Sequence, residues 1–438
     1  MLNPGSYALI LILIFGGYKY RNEYIIFIFK LLILTVYIEI GFFVKIGNFE
    51  MAYSEFLIIV LILYSVFRLD FKKIPKKILL TSLALVTIVF LGYLKLAFNI
   101  FPNYVLPIGG SWDRYAWGME YLTRAELDSS YLLRLIRLVL FLYIYFLFDN
   151  YITSNIKINT NIKEITIKLA IFSSFVGIAD QFSKIFLNSS FILDNANIFF
   201  GIGLNQLTWA TERGSLPVLQ GLMLEPGHYA SSFIPAILIL FLTDTFSNKM
   251  RFWCYLLFTY SIFFSGSLAG FAIIIFMTIL YVSTNENKTI KIFIGSTLIL
   301  LATLIFSQQN PELLEYYMVR INALVYGIDN GTSESIRSLS IKNALNLFKD
   351  QFFLGVGFGS SDFHGFLPSM LANFGFLGTL CWGIFMLKGA TPSKLQNLKW
   401  LVALTPFMFF IGNVGTIYSI DMILIFALVF RYTEEKTN

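Results

Sequence analysis

Histidine and cysteine are nearly missing from this chain, with two of each among 438 residues. Cys254 and Cys381 both lie in apolar runs, which excludes a disulfide framework and offers no metal-site spacing. His228 and His364 are too few for a metal cluster, and the polar segments hold no Asp-x-Asp pair. Gly355-x-Gly-x-Gly359 precedes no strand-helix unit, and the chain has no Walker lysine pattern, so a nucleotide-binding role is not indicated. Neither a Pro/Gly/Ser-rich linker nor an internal repeat divides the sequence. The expectation is one multi-span domain over residues 1–438, working without cofactor or metal.

Charge is also scarce, at 13% of residues, and what replaces it is apolar: 57% hydrophobic, 18% aromatic, mean hydropathy +0.72. No soluble globular protein of this size needs so much apolar surface. Runs of roughly 18 to 25 apolar residues recur, the length that crosses a bilayer as a helix. The spacing predicts an all-α polytopic membrane protein with about thirteen spans, within the range of 12–14. They fall near 6–19, 23–45, 54–68, 78–101, 131–149, 164–188, 228–245, 251–264, 268–283, 290–306, 365–387, 400–413 and 416–431. The run Tyr7–Phe15 has no basic residue before it and no small-residue cleavage site after it. It reads as a short first span rather than a removable signal peptide.

A net charge of +6 could suggest nucleic acid, but the positions of the charges point to a membrane. With residues 307–364 placed outside, more than half of the 32 basic residues fall in short inner segments. Among them are Lys19, Lys72, Lys73, Lys163, Lys168, Arg251 and Lys394. This predicts an outer N-terminus, an inner C-terminus and three large outer segments: Pro102–Ser130, Asn188–Gly227 and Ser307–His364. A protein with its polar mass on one face should work on that face.

Ser307–His364 is the longest polar interval, and loops of this length are usually functional or disordered. Its aromatic content and helical periodicity favour function. Asn330-Gly331 marks a turn, and Thr332 or Ser333 can cap a helix with Glu334 in its first turn. Ile341, Leu345 and Phe348 form an apolar stripe there, with Asn343, Asn346 and Asp350 on another face. Arg337 stands one turn before Ile341 and should point toward the protein body. The glycine-rich elbow Gly355–Ser360 follows, and then His364 at the mouth of a span.

The second outer segment ends in Arg213 and Leu224-Glu-Pro-Gly-His-Tyr-Ala230. Pro226 suits the first turn of the next span, with Glu225 at its N-terminal end. Glu225 either caps that helix, pairs with Arg213, or faces a substrate as a base. Arg213 and Arg337 could converge, because arginine forks bind phosphate oxygens in two-point fashion. Arg320, Arg134 and Arg137 are further candidates, although Arg134 and Arg137 at i and i+3 fit interfacial snorkelling equally well. His228 reads as a substrate contact or a mere first-turn residue. His364 has the side chain best suited to proton exchange near neutral pH. Lys30 and Lys95, some two turns inside spans, are expected to snorkel, and Asp180 with Lys184 at i, i+4 to form a local pair.

Taken in order, these segments resemble the Wzy-type O-antigen polymerases and the related O-antigen ligases of bacterial surface-polysaccharide assembly. The resemblance rests on Arg213, Leu224–Ala230, Ser265-Gly-Ser267, Glu334-Ser-Ile-Arg337, Phe348–Ser360 and His364, within roughly residues 205–385. It implies a GT-C-like fold in the bacterial inner membrane, with the site facing the periplasm. The implied enzyme is a glycosyltransferase that moves a growing glycan from undecaprenyl pyrophosphate onto an incoming lipid-linked repeat. A chain-length regulator is an implied partner. By the same carry-over Arg213 and Arg337, with Arg320, grip the donor pyrophosphate, while Glu225 and His364 match the family's acid and loop histidine, either of which could serve as base. One departure is Gly365, where the families often place Asn. A ligase transferring to lipid A core and a saccharide-lipid flippase are the competing readings. The missing repeat and the few mid-membrane charges weigh against a transporter.

Overall fold

The computed structural model describes residues 2–284 and 333–387, together with Glu315, Met318, Val319 and Asn322. Residues 67–73, 99–104, 108–121, 125–128, 202–211, 358–362 and some single positions are excepted. The expected spans 290–306, 400–413 and 416–431 lie outside the described residues, as do the Asn330-Gly331 turn and Thr332.

What is described is mostly helical. Three helices among the described residues are long and apolar enough to cross a membrane: Ile78–Lys95, Arg134–Ile152 and Phe366–Phe385. Shorter apolar helices accompany them, among them α1 (Pro4–Lys19), α2 (Tyr24–Val36) and α3 (Tyr53–Ser65). The expected span 23–45 is corrected. Its helix ends at Val36, and the chain enters an antiparallel hairpin of β1 (Phe42–Ile46) and β2 (Phe49–Ala52). Phe42, Phe43 and Val44 favour a strand as readily as a span, and hydropathy cannot tell the two apart.

The described chain divides into two compact units. The first holds α1 to α3 and, after a π-helical turn Asp149–Thr153, α6 (Ile156–Leu187), α7 (Phe191–Phe200), α8 (Pro226–Ser232), α9 (Ile234–Leu242), α10 (Asn248–Phe264) and α11 (Leu268–Thr284). Asn3 ties its beginning together. The Asn3 Oδ1 accepts from the Ser6 amide (2.8 Å) and the Tyr53 hydroxyl (2.6 Å), and its Nδ2 donates to the Phe42 and Phe200 carbonyls (2.6 and 2.7 Å). One N-cap side chain thus joins the ends of α1, β1, α3 and α7.

The long helix α6 is amphipathic in the sense opposite to a soluble helix. Lys163, Thr166, Ala170, Ser174, Gly177, Asp180 and Lys184 are buried, whereas Phe172, Phe175, Phe182, Ile185 and Phe186 are more than half exposed. Leaving those five half in water would cost about 1 kcal/mol each, half the value for full exposure. The total is a large part of a usual folding stability of about 5–15 kcal/mol. The small and polar stripe instead lets neighbouring helices approach closely, as membrane helices do. Two basic residues that the charge count placed in inner segments serve the interior. Lys163 is fully buried, and the buried Arg251 donates to the Thr243 carbonyl (2.7 Å) at the C-terminal end of α9.

The second unit contains α4 (Lys76–Ala97), most of α5 (Ser129–Phe148), α12 (Ser333–Asp350) and α13 (Phe366–Leu387), with α13 packed on both α4 and α12. The expected continuous span 365–387 is broken at Gly375 (φ 64°, ψ −170°). Both broken ends are satisfied by the elbow that follows α12. The Val356 and Gly357 amides donate to the Ala372 and Asn373 carbonyls, and the Phe376 and Leu377 amides donate to the Phe352 and Phe353 carbonyls, at 2.7–3.1 Å. Irregular backbone at membrane depth needs such internal partners, because lipid supplies none.

Candidate active site

In the first unit, Arg213 lies on β3 (Glu212–Arg213), a two-residue strand paired antiparallel with β4 (Leu216–Pro217), Arg213 opposite Leu216. The chain then runs over the end of α6. There the Lys184 ammonium forms a 2.6 Å ion pair with Asp180 and donates to the Val218 carbonyl (3.3 Å). The expected i, i+4 pair is present, and it is also an anchor for the segment leading from Arg213 to the Pro226 turn. The Asp180 carboxylate faces the Leu193 amide in the first turn of α7 as well. The Leu219 amide donates to the Phe264 carbonyl (2.9 Å), which continues the attachment.

Pro226 begins α8, as its fixed φ favours, and His228 is exposed in that first turn. The span expected over 228–245 is interrupted at Phe233, because Pro235 opens a second segment, α9. Tyr229 is buried and donates to the Ser173 carbonyl on α6 (3.3 Å). A Cβ on Gly227 would lie 3.6 Å from the Ser267 hydroxyl. The Pro226–Tyr229 turn and the Ser265–Ser267 turn, far apart in sequence, therefore meet. Glu225 lies outside the described residues.

The Asp180–Lys184 pair carries side-chain exposures of 0% and 6%, so its charges depend on each other rather than on water. Replacing Lys184 alone by methionine should destabilise the protein by about 3–5 kcal/mol, because a buried carboxylate is left unpaired. The joint replacement Asp180→Leu with Lys184→Met should recover most of that. Melting of the three detergent-solubilised proteins checks this. Additive losses in the double variant would show that the pair is not a unit.

In the second unit, Arg337 belongs to α12, which forms over Ser333–Asp350 as the periodicity predicts. Its buried face differs from the expected stripe. Ser340, Ala344 and Leu347 are buried, Ile341 and Phe348 are half-buried, and Leu345 is exposed. Small side chains let α13 close on this side, so size rather than hydropathy selects the face. Asn346 and Asp350 are exposed on the other side. Position 337 precedes Ser340 and Ile341 by one turn. A Cβ at Gly365 would lie 3.8 Å from Ile341 Cγ1, so the backbone directly after position 364 abuts α12 one turn from Arg337.

Arg134, half-buried, and Arg137, exposed, lie on α5 at the start of the span Arg134–Ile152. Arg320 and His364 lie outside the described residues. Lys95 has a structural contact in place of the expected snorkelling. It does not snorkel away from its helix, but donates to Gln351 Oε1 (2.9 Å) and lies 3.4 Å from the Gly355 carbonyl. A lysine two turns inside a span beside a distant glycine run is the only sequence signal for this contact.

Fold and site together define a mostly helical protein with three helices, among the described residues, long and apolar enough to cross a membrane. No family model matches the sequence, and no curated protein and no solved structure matches it.

Proposed function

We propose that the protein is a metal-independent polysaccharide polymerase. It transfers a growing glycan from undecaprenyl pyrophosphate onto an incoming lipid-linked repeat at the outer face of a bacterial inner membrane. The supporting observation is that the quoted motifs pair in space inside each unit: Pro226–Tyr229 with Ser265–Ser267, and Gly365 with the α12 helix of Arg337. Gly365 adopts φ +86°, which glycine takes freely.

The chemistry follows from the setting. Nucleotide sugars are confined to the cytoplasm, so an outer-face transferase must draw its activated sugar from a lipid pyrophosphate. Arg213 and Arg337, with Arg320, neutralise the departing pyrophosphate through two-point contacts, a role that needs no metal. Glu225 or His364 takes the proton from the attacking hydroxyl. His228, Arg134 and Arg137 contact the more distant substrate. This reading includes a GT-C-like arrangement of about thirteen spans, with residues 307–364 as the large outer loop.

The deciding experiment supplies purified protein in vesicles with undecaprenyl-pyrophosphate-linked repeat units. A ladder of lengthening lipid-linked glycans is expected. Transfer to lipid A core without a ladder would make the protein a ligase. Movement of the lipid across the bilayer with no new glycosidic bond would make it a transporter.

A further inference from the structure

We propose that Lys95 is a positioning residue: from α4 it fixes the elbow at the end of α12 and so sets where Arg337 stands. The anchoring itself is independent of the polymerase reading; only its kinetic consequence rests on it. The contact links residues 256 positions apart, with the Lys95 ammonium 2.9 Å from Gln351 Oε1 and 3.4 Å from the Gly355 carbonyl. Gln351 is the residue immediately after α12, and its carbonyl accepts from the Gly355 amide (3.0 Å), which closes the last turn. The ammonium thus holds both ends of that closing turn.

The surroundings explain why a charge is needed there. The elbow is tied to α13 by backbone hydrogen bonds and by the Phe352–Phe376 stack, but it meets α4 through glycine. Gly355 (φ +61°) turns the chain, and a Cβ on Gly92 of α4 would lie 3.2 Å from the Gly357 Cα. Glycine against glycine gives close approach but little side-chain interlock, so this contact alone does not fix the register of the elbow on α4. A cation donating to one amide oxygen and one carbonyl fixes it, and ionic donors make the stronger hydrogen bonds. The consequence grows with distance. Arg337 precedes Gln351 by fourteen residues, about 21 Å along a helix, so a swing of about 5° at the elbow moves position 337 by about 2 Å. A phosphate contact does not survive such a displacement, and misplacement of that order costs about 100-fold in rate.

The test uses Lys95→Met and Gln351→Met separately and together, with Lys95→Arg as the conservative variant. Lys168→Gln serves as a control, since that lysine pairs with Glu164 on the exposed side of α6. In the full-length protein, hydrogen exchange at the Val356 and Gly357 amides should accelerate at least about tenfold in either methionine variant. The double variant should show no further gain, Lys95→Arg should restore much of the protection, and Lys168→Gln should change nothing. Turnover of undecaprenyl-pyrophosphate-linked repeat units, per mole of folded protein, should fall about 10- to 100-fold in kcat. The KM for the acceptor lipid should stay within about twofold, a split that general destabilisation would not produce. Unchanged exchange at 356 and 357 overturns the anchor, and faster exchange with wild-type kcat overturns its link to Arg337. A wild-type protein that turns over no lipid-linked saccharide refutes the polymerase reading, while the exchange result still decides for or against Lys95. If Lys95→Met does not fold, Gln351→Met alone carries the same two readouts.

Discussion

Substituting alanine for Gly375 should leave little or no folded protein. The position combines φ 64° with ψ −170°, a region that essentially only glycine enters. A Cβ there would stand 2.4 Å from the Gly355 amide nitrogen, 2.5 Å from the Phe353 carbonyl carbon and 2.6 Å from the Leu354 nitrogen. All three are backbone atoms, so no side chain can swing aside. Strain alone costs about 1–3 kcal/mol. Separating the elbow from α13 also frees the backbone groups that Val356, Gly357, Phe376 and Leu377 now satisfy. Each buried unpaired group costs about 1–3 kcal/mol. The sum reaches the whole stability of about 5–15 kcal/mol usual for a folded protein. Gly383 supplies the control: its added Cβ would meet nothing within 4 Å, so Gly383→Ala should melt as the wild type does. The measurement is the yield of monodisperse protein in detergent and its melting temperature. A Gly375→Ala protein of normal yield and stability would rule out the broken-helix junction.

That junction shows where sequence reading stops. Apolar run length placed α4, α5 and α13 within a few residues, because crossing a membrane demands length and hydropathy and both are visible one residue at a time. The start of α12 and the Asp180–Lys184 pair were legible for similar reasons, since capping and i, i+4 geometry are local. The break at Gly375 was not, because it depends on the Val356 and Gly357 amides and the Phe352 and Phe353 carbonyls, some twenty residues away. The buried face of α12 was misplaced by about one residue for the same cause. Ser340 and Ala344 are chosen by the closeness of α13, and a hydropathy stripe ranks them below Leu345. Within residues 188–227, α7 leaves no span signal because Asp194, Asn195 and Asn197 interrupt its apolar run, although Leu193 and Ala196 pack inward. Charge was read as topology at Lys163 and Arg251, where it is buried. Of the candidate residues, Arg213 and Arg337 lie on local elements that the sequence anticipates only for α12, since a two-residue strand such as β3 leaves no periodic trace.

Arg337→Ala should abolish polymer formation in a protein that still folds and inserts. Position 337 sits in the second turn of α12, one turn before Ser340 and Ile341, while the packing that holds the helix on α13 comes from Ser340, Ala344 and Leu347. Truncation at 337 leaves those contacts in place, so the melting temperature should shift little. The rate should not be spared. If the guanidinium meets the departing pyrophosphate, its removal takes away a donor whose contribution is made in the transition state. Such losses run to about 100- to 1000-fold in kcat. Arg337→Lys separates charge from geometry. Lysine keeps the charge but offers a point donor on a flexible stem, so it cannot reproduce a planar two-point contact. We expect it to recover no more than about a tenth of the lost rate. Single-turnover rates with undecaprenyl-pyrophosphate-linked repeat units, at substrate well above saturation, isolate this step from binding. Full activity in the lysine variant would show that positive charge suffices and that bidentate binding is not the principle of the site. Full activity in the alanine variant would remove Arg337 from the mechanism, and with it the reading of α12 as the arm that grips the donor.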